Sequence, residues 1–559
     1  MKSLFKKIKA PRKAKKSVLG VQFSHDYSAC LVQDGRVVAA VAEERLNRRK
    51  HCHWDWDLED KRAIHYCLEA GGVSLDDVDA IVVTMVNFLQ PDVVDYFFPE
   101  VADKTKLHLV GHHLSHAASA YYASPFDQAA ILITDGSGAF ERDQGIELES
   151  MYFGSGGSIE FLGQTYARPG PQGRCDRTSL GWLYQALTIH LGFGSFDAGK
   201  TMGLAPYGQP GRFTDLVLMD KDQVRPNPEY FSVAFPQKGL VPDEVYQVNS
   251  GLPRRHKDEP ITQEHMDLAA DLQQSLEEGL VELANRLYEK TRCPNLCLAG
   301  GVALNCVANK KILDCTPFER IFIQPAAGDD GTALGNALYG WRDLLGLDIS
   351  AYHMEHAYLG RPYTKAQVKQ AISEIGSAVR VAARGDITAE TAQRLGAGQI
   401  VAWFQGGSEF GPRALGHRSI LADPRQAAMK DILNARVKHR EPFRPFAPSV
   451  LSEACSQFFD LGCESPFMLL AADTLNDKVP AITHVDGSAR VQTVAKNTAP
   501  AYYELIRSFG QNTGVPVILN TSFNVAGEPI VETPQDALRT FTSTAIDALV
   551  LEDHLLVKD

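Results

Sequence analysis

Apolar and polar positions alternate along the first 140 residues in a pattern typical of short strands and amphipathic helices. The stretches "SVLGVQF", "SACLVQD" and "RVVAAVAEE" predict three short strands separated by tight turns. After them, "DKRAIHYCLEA" predicts a helix, "DAIVVTM" a strand, "HHLSHAASAYYAS" a helix, and "AAILITDGSG" a strand with a turn. Alternation of this kind predicts an α/β fold with layered helices and strands.

The same alternation returns after residue 290. "NLCLAGG" predicts a strand and turn, "VALNCVANKKIL" a helix, "RIFIQPAAGDDG" a strand and loop, and "TALGNALYGWRDLL" a helix. Because the strands of both halves end in glycine-rich turns, we expect a ligand in the cleft between the halves. The segments 140–180 and 205–262, the second rich in proline and polar residues, are expected to be irregular.

The pattern begins afresh near residue 354, with "MEHAYLGRPYTKAQVKQAI". A chain of 559 residues is also too long for one ordinary core. We therefore predict a disordered basic tail at residues 1–16, one domain over 17–353 and a second domain over 354–559.

Composition and charge narrow the classes of function. The net charge of −12 disfavours a nucleic-acid partner, which needs a broad basic surface. No apolar run approaches the roughly 20 residues that cross a bilayer, and the ten cysteines are scattered without a secretory signal. The sequence therefore predicts a cytoplasmic protein with neither a nucleic-acid nor a membrane partner.

Three histidines crowd the start of the predicted helix that follows residue 111. His112 and His116 are four residues apart, so they lie on one face of a helix and are able to bind one metal ion. His113 and His116 form a competing pair. A polar helix start would also account for all three without a metal.

Aspartates at two predicted strand ends favour the metal. Asp135 ends an apolar strand, and Asp329 and Asp330 stand in the same context in "QPAAGDDG". Two histidines with two aspartates form a mixed nitrogen and oxygen ligand set, which suits Fe²⁺ or Mn²⁺. The pattern leaves open which of Asp329 and Asp330 is the ligand.

Glycine turns predict a nucleotide site beside these residues. The turn that contains Gly136 allows backbone N–H groups to approach an anion closely. Gly300 and Gly301 form a similar turn in "LAGGVALNCVAN", and "DAGKTMGLAPYG" supplies a third glycine-rich loop. We expect the three loops to converge on one nucleotide.

Basic residues dominate two motifs of the second domain, "FQGGSEFGPRALGHRSILADPR" and "NARVKHREPFRPFAPS". They alternate with glycine, proline and phenylalanine, which is poor composition for a solvated helix face. The basic residues are Arg413, Arg418, Arg425, Arg436, Lys438, Arg440 and Arg444. Arg and Lys around glycine turns predict a site for a small, multiply charged anion, to which Asn520 and Ser522 of "LNTSFNVAGEPIV" add hydrogen-bonding groups.

The order and spacing of eight motifs resemble those of the ATP-dependent O-carbamoyltransferases, a family that includes the nodulation-factor, cephamycin and tobramycin enzymes. The motifs are "HDYSACLVQDG", "EERLNRRKH", "HHLSHAASAYY", "DAGKTMGLAPYG", "GGVALNCVAN", "FGPRALGHRSILADPR", "KHREPFRPFAPS" and "NTSFNVAGEPIV". One departure is Asp197, where the family pattern has Glu before the Gly-Lys pair. The resemblance extends from about residue 18 to the C-terminus.

The resemblance implies an N-terminal domain of the actin/sugar-kinase/Hsp70 (ASKHA) type, similar to the threonylcarbamoyl-transfer subunit of tRNA modification, and a C-terminal YrdC-like domain. The YrdC-like domain would make carbamoyl-adenylate from carbamoyl phosphate and ATP, with Mg²⁺ accompanying ATP. The N-terminal domain would then transfer the carbamoyl group to a hydroxyl of a small natural product, such as an antibiotic or a sugar-containing metabolite. Its metal would be Fe²⁺, Mn²⁺ or another divalent first-row ion.

Site residues also follow from the resemblance. The implied catalytic residues are His25, Lys50, His112 and Asp135. The implied metal ligands are His112, His116, Asp135 and Asp329. The implied binding residues for ATP and carbamoyl phosphate are Arg418, Lys438, Arg444, Arg490, Asn520, Ser522, Gly136, Gly300, Gly301 and Asn305.

Three other functions compete with this interpretation. A small-molecule kinase of the ASKHA fold would leave the basic second domain without a task. A tRNA threonylcarbamoyl-type enzyme conflicts with the negative net charge. An actin-like interaction module would not need the His/Asp set. The acceptor is not encoded in any motif, and a homodimer is the expected assembly.

Overall fold

The computed structural model describes residues 15–52, 61–86, 97–141, 143–221, 223–235, 245–349 and 352–558. Residues 1–14 of the predicted basic tail lie outside this range. Lys15 and Lys16 are described, and their side chains donate to Gln33 and Asp79. No helix in the described part of the chain is both long and apolar enough to cross a membrane.

The first sheet contains the predicted N-terminal strands. Its members are β1 (Ser17–Phe23), β2 (Ser28–Gln33), β3 (Arg36–Ala42), β4 (Ala80–Met85) and β5 (Leu107–Leu109). The spatial order is β3-β2-β1-β4-β5; β2 and β3 are antiparallel to their neighbours, whereas β1, β4 and β5 are parallel. Helix Thr332–Tyr339 packs so closely on β1 that a Cβ at Gly20 would lie 2.1 Å from the Ala333 carbonyl oxygen. This contact brings the start of that helix, and with it Asp329, beneath β1.

The second sheet carries most of the predicted site. Its strands are β6 (Gln128–Thr134), β7 (Phe140–Glu141), β8 (Gly145–Ser155), β9 (Ser158–Ala167), β14 (Asn295–Ala299) and β15 (Arg320–Ile323). The order is β15-β14-β6-β8-β7, and β9 pairs with β8. The parallel strands β6, β14 and β15 end at one edge of the sheet, where Asp135 and the Gly300 turn follow them.

The expectation that residues 140–180 are irregular is wrong for most of that segment. β8 and β9 form a long antiparallel hairpin whose turn, Gly156-Gly157, has positive φ angles of 57° and 75°. Only glycine adopts this conformation without strain, and a Gly-Gly pair between two alternating stretches is a hairpin signal. In segment 205–262 the described residues contain one helical turn, Ala205–Tyr207, and four short strands, which are β10 (Val217–Met219), β11 (Val224–Pro226), β12 (Phe231–Val233) and β13 (Tyr246–Val248).

The helices described before residue 353 are Glu43–Asn47, Arg62–Gly71, His112–Tyr121, Leu180–His190, Ala198–Leu204, Gln263–Thr291, Cys306–Cys315 and Thr332–Tyr339. The helix predicted from residue 302 is split. A 3-10 turn covers Gly301–Leu304, and the α-helix begins at Cys306 because Asn305 caps it. Other short helical turns are Leu75–Asp77, Lys104–Lys106, Pro171–Gly173, Ala205–Tyr207, Asp329–Gly331 and Gly340–Leu344.

A ten-stranded sheet occupies the C-terminal part of the chain. Its strands are β16 (Val379–Arg384), β17 (Val401–Phe404), β18 (Arg418–Ala422), β19 (Ala447–Leu451), β20 (Phe459–Asp460), β21 (Leu470–Thr474), β22 (Ser488–Val494), β23 (Val517–Ser522), β24 (Ala548–Leu551) and β25 (His554–Lys558). The order is β16-β25-β24-β17-β18-β23-β19-β22-β21-β20. The helical segments here are Lys365–Glu374, Gly376–Ala378, Thr388–Gly396, Met429–Leu433, Asn434–Lys438, Ser452–Gln457, Pro500–Thr513 and Pro534–Ser543. The three sheets with their helices confirm the predicted α/β class; the ASKHA and YrdC-like assignments and the boundary at 353/354 stay predictions.

The N-terminal and C-terminal parts meet in a polar seam. The Arg45 guanidinium donates to the Gly411 carbonyl at 2.6 Å. The Arg48 guanidinium donates to the carbonyls of Pro529 and Ile530, both at 2.7 Å. Lys200 Nζ lies 2.8 Å from the Glu441 carboxylate. The Arg413 guanidinium also donates to the Leu304 carbonyl at 3.3 Å, so the segment that follows β14 lies next to a basic motif of the C-terminal part.

Candidate functional site

Two histidines and two aspartates converge at the edge of the second sheet; together they are termed the His/Asp cluster. His112 Nε2 lies 3.3 Å from Asp135 Oδ2 and 3.4 Å from Asp329 Oδ1. His116 Nε2 lies 3.2 Å and 3.8 Å from the same two oxygens. The two Nε2 atoms are 3.1 Å apart, and all four side chains are buried. The helix from His112 to Tyr121 thus presents its i, i+4 pair, as the spacing predicts.

The second oxygen of each carboxylate is held by other residues, so that one oxygen of each faces the histidines. Asp135 Oδ1 accepts from the N–H groups of Gly136 at 2.7 Å and Gly301 at 3.2 Å. Asp329 Oδ2 accepts from Ser24 Oγ at 2.8 Å and Gln22 Nε2 at 3.2 Å. Such outer contacts orient metal ligands in proteins.

The chemistry of this donor set fits a divalent first-row ion. The four candidate ligand atoms lie within 4.8 Å of one another, and two imidazole nitrogens with two carboxylate oxygens suit Fe²⁺ or Mn²⁺. Although burial opposes charge here, the two carboxylates raise the pKa of His112 to about 10. The histidines in turn hold the pKa of Asp329 well below its ordinary value. The carboxylates therefore require a positive partner, which protons or a metal ion supply.

Asp329, and not Asp330, belongs to this cluster. The Asp330 carbonyl accepts from Ser28 Oγ at 2.8 Å. Burial, followed by the nearby carboxylates of Asp26 and Glu44, raises the pKa of the Asp330 side chain to about 7. The 3-10 turn Asp329–Gly331 directs the two neighbouring aspartates to different surroundings, which sequence spacing does not reveal.

The glycine turns that predicted a nucleotide site have a structural role in the described protein. Gly136 and Gly301 donate to Asp135, as given above. Gly300 has φ +92°, and a Cβ there would lie 2.2 Å from the Thr134 carbonyl oxygen. Asn305 caps the helix that follows, because its Oδ1 accepts from Ala308 N–H at 3.1 Å. A nucleotide contact for Gly136, Gly300, Gly301 and Asn305 stays a prediction.

His25 lies at the partly exposed mouth of the His/Asp cluster. Its Nδ1 is 3.6 Å from Asp329 Oδ2, and its Nε2 is 3.4 Å from Asp26 Oδ2. Its ring stacks on Phe196, with centroids 4.9 Å apart, and His51 stacks on the same phenylalanine at 4.2 Å. His51 Nδ1 also bonds Asp26 Oδ1 at 2.9 Å. An imidazole with carboxylates at both ring nitrogens is placed to accept and pass on a proton.

Five basic side chains form a second charged site, termed the cationic cluster. Its members are Arg413, Lys438, Arg440, Arg444 and Arg490. Burial, followed by repulsion from Arg490 and Arg444, lowers the pKa of Arg413 to about 9. Burial and repulsion from Arg444 and Arg490 also lower the pKa of Arg440 to about 9. Exposed Lys50, from the N-terminal part, is another positive neighbour of Lys438. Lys438 is buried and the four arginines are partly buried. A group of like charges with few acidic partners is suited to bind a multiply charged anion.

Arg418, in contrast, is engaged by the main chain. Its guanidinium donates to the carbonyls of Gln405 at 2.7 Å, Gly406 at 3.0 Å and His417 at 3.1 Å. It also covers the Phe404 ring, with the guanidinium carbon 3.5 Å from the centroid. Only Nε has no partner among the described residues. Arg413, one of the basic residues that the sequence pattern identified in the same glycine-rich motif, reaches the cationic cluster, whereas the resemblance implied Arg418 as the binding residue of that motif.

Lys438, Asn520 and Ser522 also form hydrogen bonds with other groups of the protein. Lys438 Nζ donates to the carbonyls of Ser522 at 2.5 Å and Asn524 at 3.0 Å. Ser522 Oγ donates to the Asn524 side-chain oxygen at 2.7 Å. Asn520 Nδ2 donates to the Ala414 carbonyl at 3.1 Å, whereas its Oδ1 has no partner among the described residues. The predicted residues therefore fall into two groups: Arg444 and Arg490 in the cationic cluster with Lys438, and Arg418, Asn520 and Ser522 in the scaffold around it.

The fold and these two sites define a two-part α/β protein with a candidate metal centre and a candidate anion site. The family model described as carbamoyltransferase N-terminus matches residues 17–95 and 98–338, and the model described as carbamoyltransferase C-terminus matches residues 392–558. The chain belongs to the carbamoyltransferase family.

Curated relatives agree with this assignment. Protein sll1178 of Synechocystis, whose name states no function, is 39% identical over 97% of this chain and 96% of its own. Nodulation protein NolNO of Sinorhizobium fredii is 39% identical over 96% of this chain and 79% of its own. The 3'-hydroxymethylcephem-O-carbamoyltransferase of Streptomyces clavuligerus is 32% identical over 64% of each chain.

Solved structures show only weak likeness. HypF of T. kodakarensis is 14% identical, with a TM-score of 0.38 over 60% of this chain and 48% of its own. ROK hexokinase of Thermus thermophilus is 15% identical, with a TM-score of 0.30 over 59% of this chain and 99% of its own.

Proposed function

We propose that this carbamoyltransferase depends on ATP and transfers the carbamoyl group to a hydroxyl. Carbamoyl phosphate is hydrolysed to carbamate and phosphate, and the carbamate oxygen displaces pyrophosphate from the α-phosphate of ATP to form carbamoyl-adenylate. The acceptor hydroxyl then attacks the carbamoyl carbon and releases AMP. The observation that carries this proposal is the presence of two sites of opposite character, the buried His/Asp cluster and the partly buried cationic cluster, on the two sides of one seam.

The cationic cluster is the proposed site of adenylate formation. Arg413, Arg444 and Arg490 offer guanidinium forks that match phosphate oxygens, and they have few acidic side chains to neutralise them. Glu441, 3.6 Å from Arg444 and 2.8 Å from Lys200, is the exception. A bound anion would relieve the repulsion between these basic side chains. This relief would favour binding without any rearrangement of the residues around the cluster. ATP would bring its own Mg²⁺ to this site.

The His/Asp cluster is the proposed site of transfer. His112, His116, Asp135 and Asp329 would hold a divalent first-row ion, which when bound supplies Lewis-acid stabilisation of negative charge. His25 accepts the proton of the acceptor hydroxyl at Nδ1, the nitrogen that faces the cluster. Asp26 stabilises the resulting imidazolium at Nε2, where it lies 3.4 Å away. Lys50 lies on the side of the seam that faces Lys438 and is proposed to bind adenylate phosphate.

A small natural product, such as an antibiotic or a sugar-containing metabolite, is the proposed acceptor. The name of the Streptomyces relative specifies a hydroxymethyl group on a cephem as the acceptor of that enzyme. A hydroxyl acceptor for this chain is inferred from that relationship. A homodimer, a cytoplasmic location and the absence of a nucleic-acid partner remain predictions.

Separate assays of the two half-reactions test the proposal. Pyrophosphate release from ATP should require carbamoyl phosphate in the wild type. Arg444→Ala should suppress this release because a charge-assisted contact is lost, whereas His112→Ala should leave it largely intact and stop transfer. Mass spectrometry of candidate hydroxyl compounds incubated with both substrates would identify the acceptor.

The outcomes separate the alternatives. ADP formation without pyrophosphate would support the small-molecule kinase. Equal loss of pyrophosphate release in both variants would refute the assignment of the two steps to the two sites.

A further inference from the structure

Arg413 stands in a loop whose course is tightly constrained; residues 410–418 are termed the Arg413 loop. Gly411 has φ +112°, and a Cβ there would lie 2.6 Å from the Pro325 carbonyl oxygen of the N-terminal part. Gly416 has φ +110°, and a Cβ there would lie 2.2 Å from the Tyr502 ring. The loop backbone is therefore packed so closely against neighbouring residues at these two glycines that a larger residue at either position would clash with them.

One buried carboxylate oxygen organises the second half of this loop. Glu409 Oε1 accepts from three backbone N–H groups, those of Leu415 at 2.7 Å, His417 at 2.8 Å and Arg418 at 3.1 Å. Glu409 is 2% exposed, and its Oε2 has no hydrogen-bond partner among the described residues. A single acceptor shared by three amides of one loop fixes the path of that loop, and its removal would leave three donors unsatisfied.

The carbonyl groups of the loop are held as well. The Leu415 carbonyl accepts from Tyr358 OH at 2.9 Å and from Gln492 Nε2 at 2.7 Å. The Ala414 carbonyl accepts from Asn520 Nδ2, and the Gly411 carbonyl from Arg45, as described above. All of these side chains are donors to the carbonyl groups of the loop. Glu409 is instead an acceptor, and in the described structure it is the one side chain that accepts from the N–H groups of Leu415, His417 and Arg418.

The loop needs these hydrogen bonds because it holds the Arg413 guanidinium close to other positive charges, which repel it. The nearby Arg490 and Arg444 lower the pKa of the Arg413 guanidinium together with burial. Its only hydrogen bond in the described residues is a long one, 3.3 Å, from Nη2 to the Leu304 carbonyl. A mobile loop would let Arg413 turn towards water, where its charge is better solvated and farther from the other arginines.

We propose that Glu409 is a positioning residue for anion binding: its carboxylate fixes the Arg413 loop so that Arg413 remains in the cationic cluster. Glu409 does not itself touch the anion. The inference rests on the proposed function, in which carbamoyl phosphate binds at this cluster.

The test compares Glu409→Ala with a matched control. The control is Asp271, which also fixes a loop but lies outside the cationic cluster. Its carboxylate accepts from the N–H groups of Gly211, Arg212 and Phe213 at 2.5, 3.1 and 2.7 Å. In the full chain, Glu409→Ala should raise the KM for carbamoyl phosphate in pyrophosphate release by about ten-fold or more, and the KM for ATP, which is proposed to bind at the same cluster, should rise with it. Asp271→Ala should lower the thermal midpoint without changing either KM. Glu409→Gln keeps an acceptor oxygen and should restore most of the affinity.

The inference is overturned if Glu409→Ala has the wild-type KM for carbamoyl phosphate, or if Asp271→Ala raises that KM equally. If Glu409→Ala does not fold, Glu409→Asp, which withdraws the same carboxylate by one methylene, is measured in its place. A wild-type protein that releases no pyrophosphate refutes the proposed function instead. The rise in thermal midpoint caused by inorganic phosphate then tests Glu409, and an equal rise in wild type and Glu409→Ala, or none in either, overturns the inference.

Discussion

The cationic cluster should make the protein less stable while its anion is absent, and Arg413 is where this cost is best measured. Its pKa falls from 12.5 to about 9, first through burial and then through Arg490 and Arg444. At 1.36 kcal/mol per pKa unit, this shift corresponds to about 5 kcal/mol against the charged form. Relaxation and water reduce such costs in real proteins, and the bond to Leu304 returns about 1 kcal/mol. We therefore expect Arg413→Gln to raise the free energy of unfolding by about 1 to 3 kcal/mol.

The sign of the pH dependence follows from the same shift. Arg413 is a cation whose folded-state pKa lies below its unfolded value, so its charge destabilises the folded state at every pH below about 9. The penalty diminishes as the pH rises through 9, because the folded protein then releases the proton. The advantage of Arg413→Gln should be full at pH 7 and smaller at pH 10.

Differential scanning calorimetry with and without inorganic phosphate measures both effects. Arg413→Gln should have a higher midpoint than the wild type in the absence of phosphate and a smaller rise when phosphate is added. Arg425 is the control, because its salt bridge with Asp423 at 2.7 Å raises its pKa. Arg425→Gln should be less stable than the wild type and should respond normally to phosphate. A lower midpoint for Arg413→Gln without phosphate, or an unchanged phosphate response, would refute the reasoning.

Two further predictions concern the N-terminal part. Metal analysis should find about one first-row ion per chain in protein purified without chelators and none in His116→Ala; full occupancy in the variant would contradict the ligand assignment. Burial raises the pKa of Glu149 from 4.5 to about 7, so the wild type should lose about 3 kcal/mol of stability as the pH rises from 4.5 through 7. Glu149→Gln keeps a neutral acceptor for the Leu180 N–H and presents an N–H donor to Thr165 Oγ1; it should be more stable than the wild type at pH 8 but not at pH 4, and parallel pH profiles in urea unfolding would contradict this.

Strand positions were predictable because buried parallel strands are apolar throughout. β1, β4, β6 and β14 all fall within stretches that the pattern identified. The β8–β9 hairpin was missed although Gly156-Gly157 marks it, since its outer strand is polar or half-exposed along most of its length. The break at Asn305 was also missed, because a capping asparagine within an apolar pattern resembles a helix interior until its side-chain bond is seen.

The sequence predicts those parts of the site in which the spacing of residues along one helix decides which side chains lie together. His112 and His116 share a face by helical geometry alone, whereas Asp329 and Asp330 are distinguished only by the 3-10 turn that contains them. Arg413 and Arg418 are chemically identical and stand five residues apart in one loop. Which of them faces the anion site depends on bonds to Glu409, which shortly precedes the loop, and to Asn520 and Gln492, which come from distant parts of the sequence.

The two sites have complementary electrostatic needs, and this explains why one chain contains both. The His/Asp cluster gathers carboxylates that a cation would neutralise, and the cationic cluster gathers arginines that an anion would neutralise. The His/Asp cluster is buried and the cationic cluster is partly buried, so solvent screens both sets of charges less than it would at the surface. The seam keeps them at fixed positions through Arg45, Arg48 and Lys200, whose bonds cross between the two parts. The proposed adenylate would be a labile mixed anhydride that water destroys, and a fixed, closely bonded seam would limit its exposure between the two sites. On this argument the N-terminal and C-terminal parts should not complement each other when produced separately, because the crossing bonds would then have to form against the entropy of association.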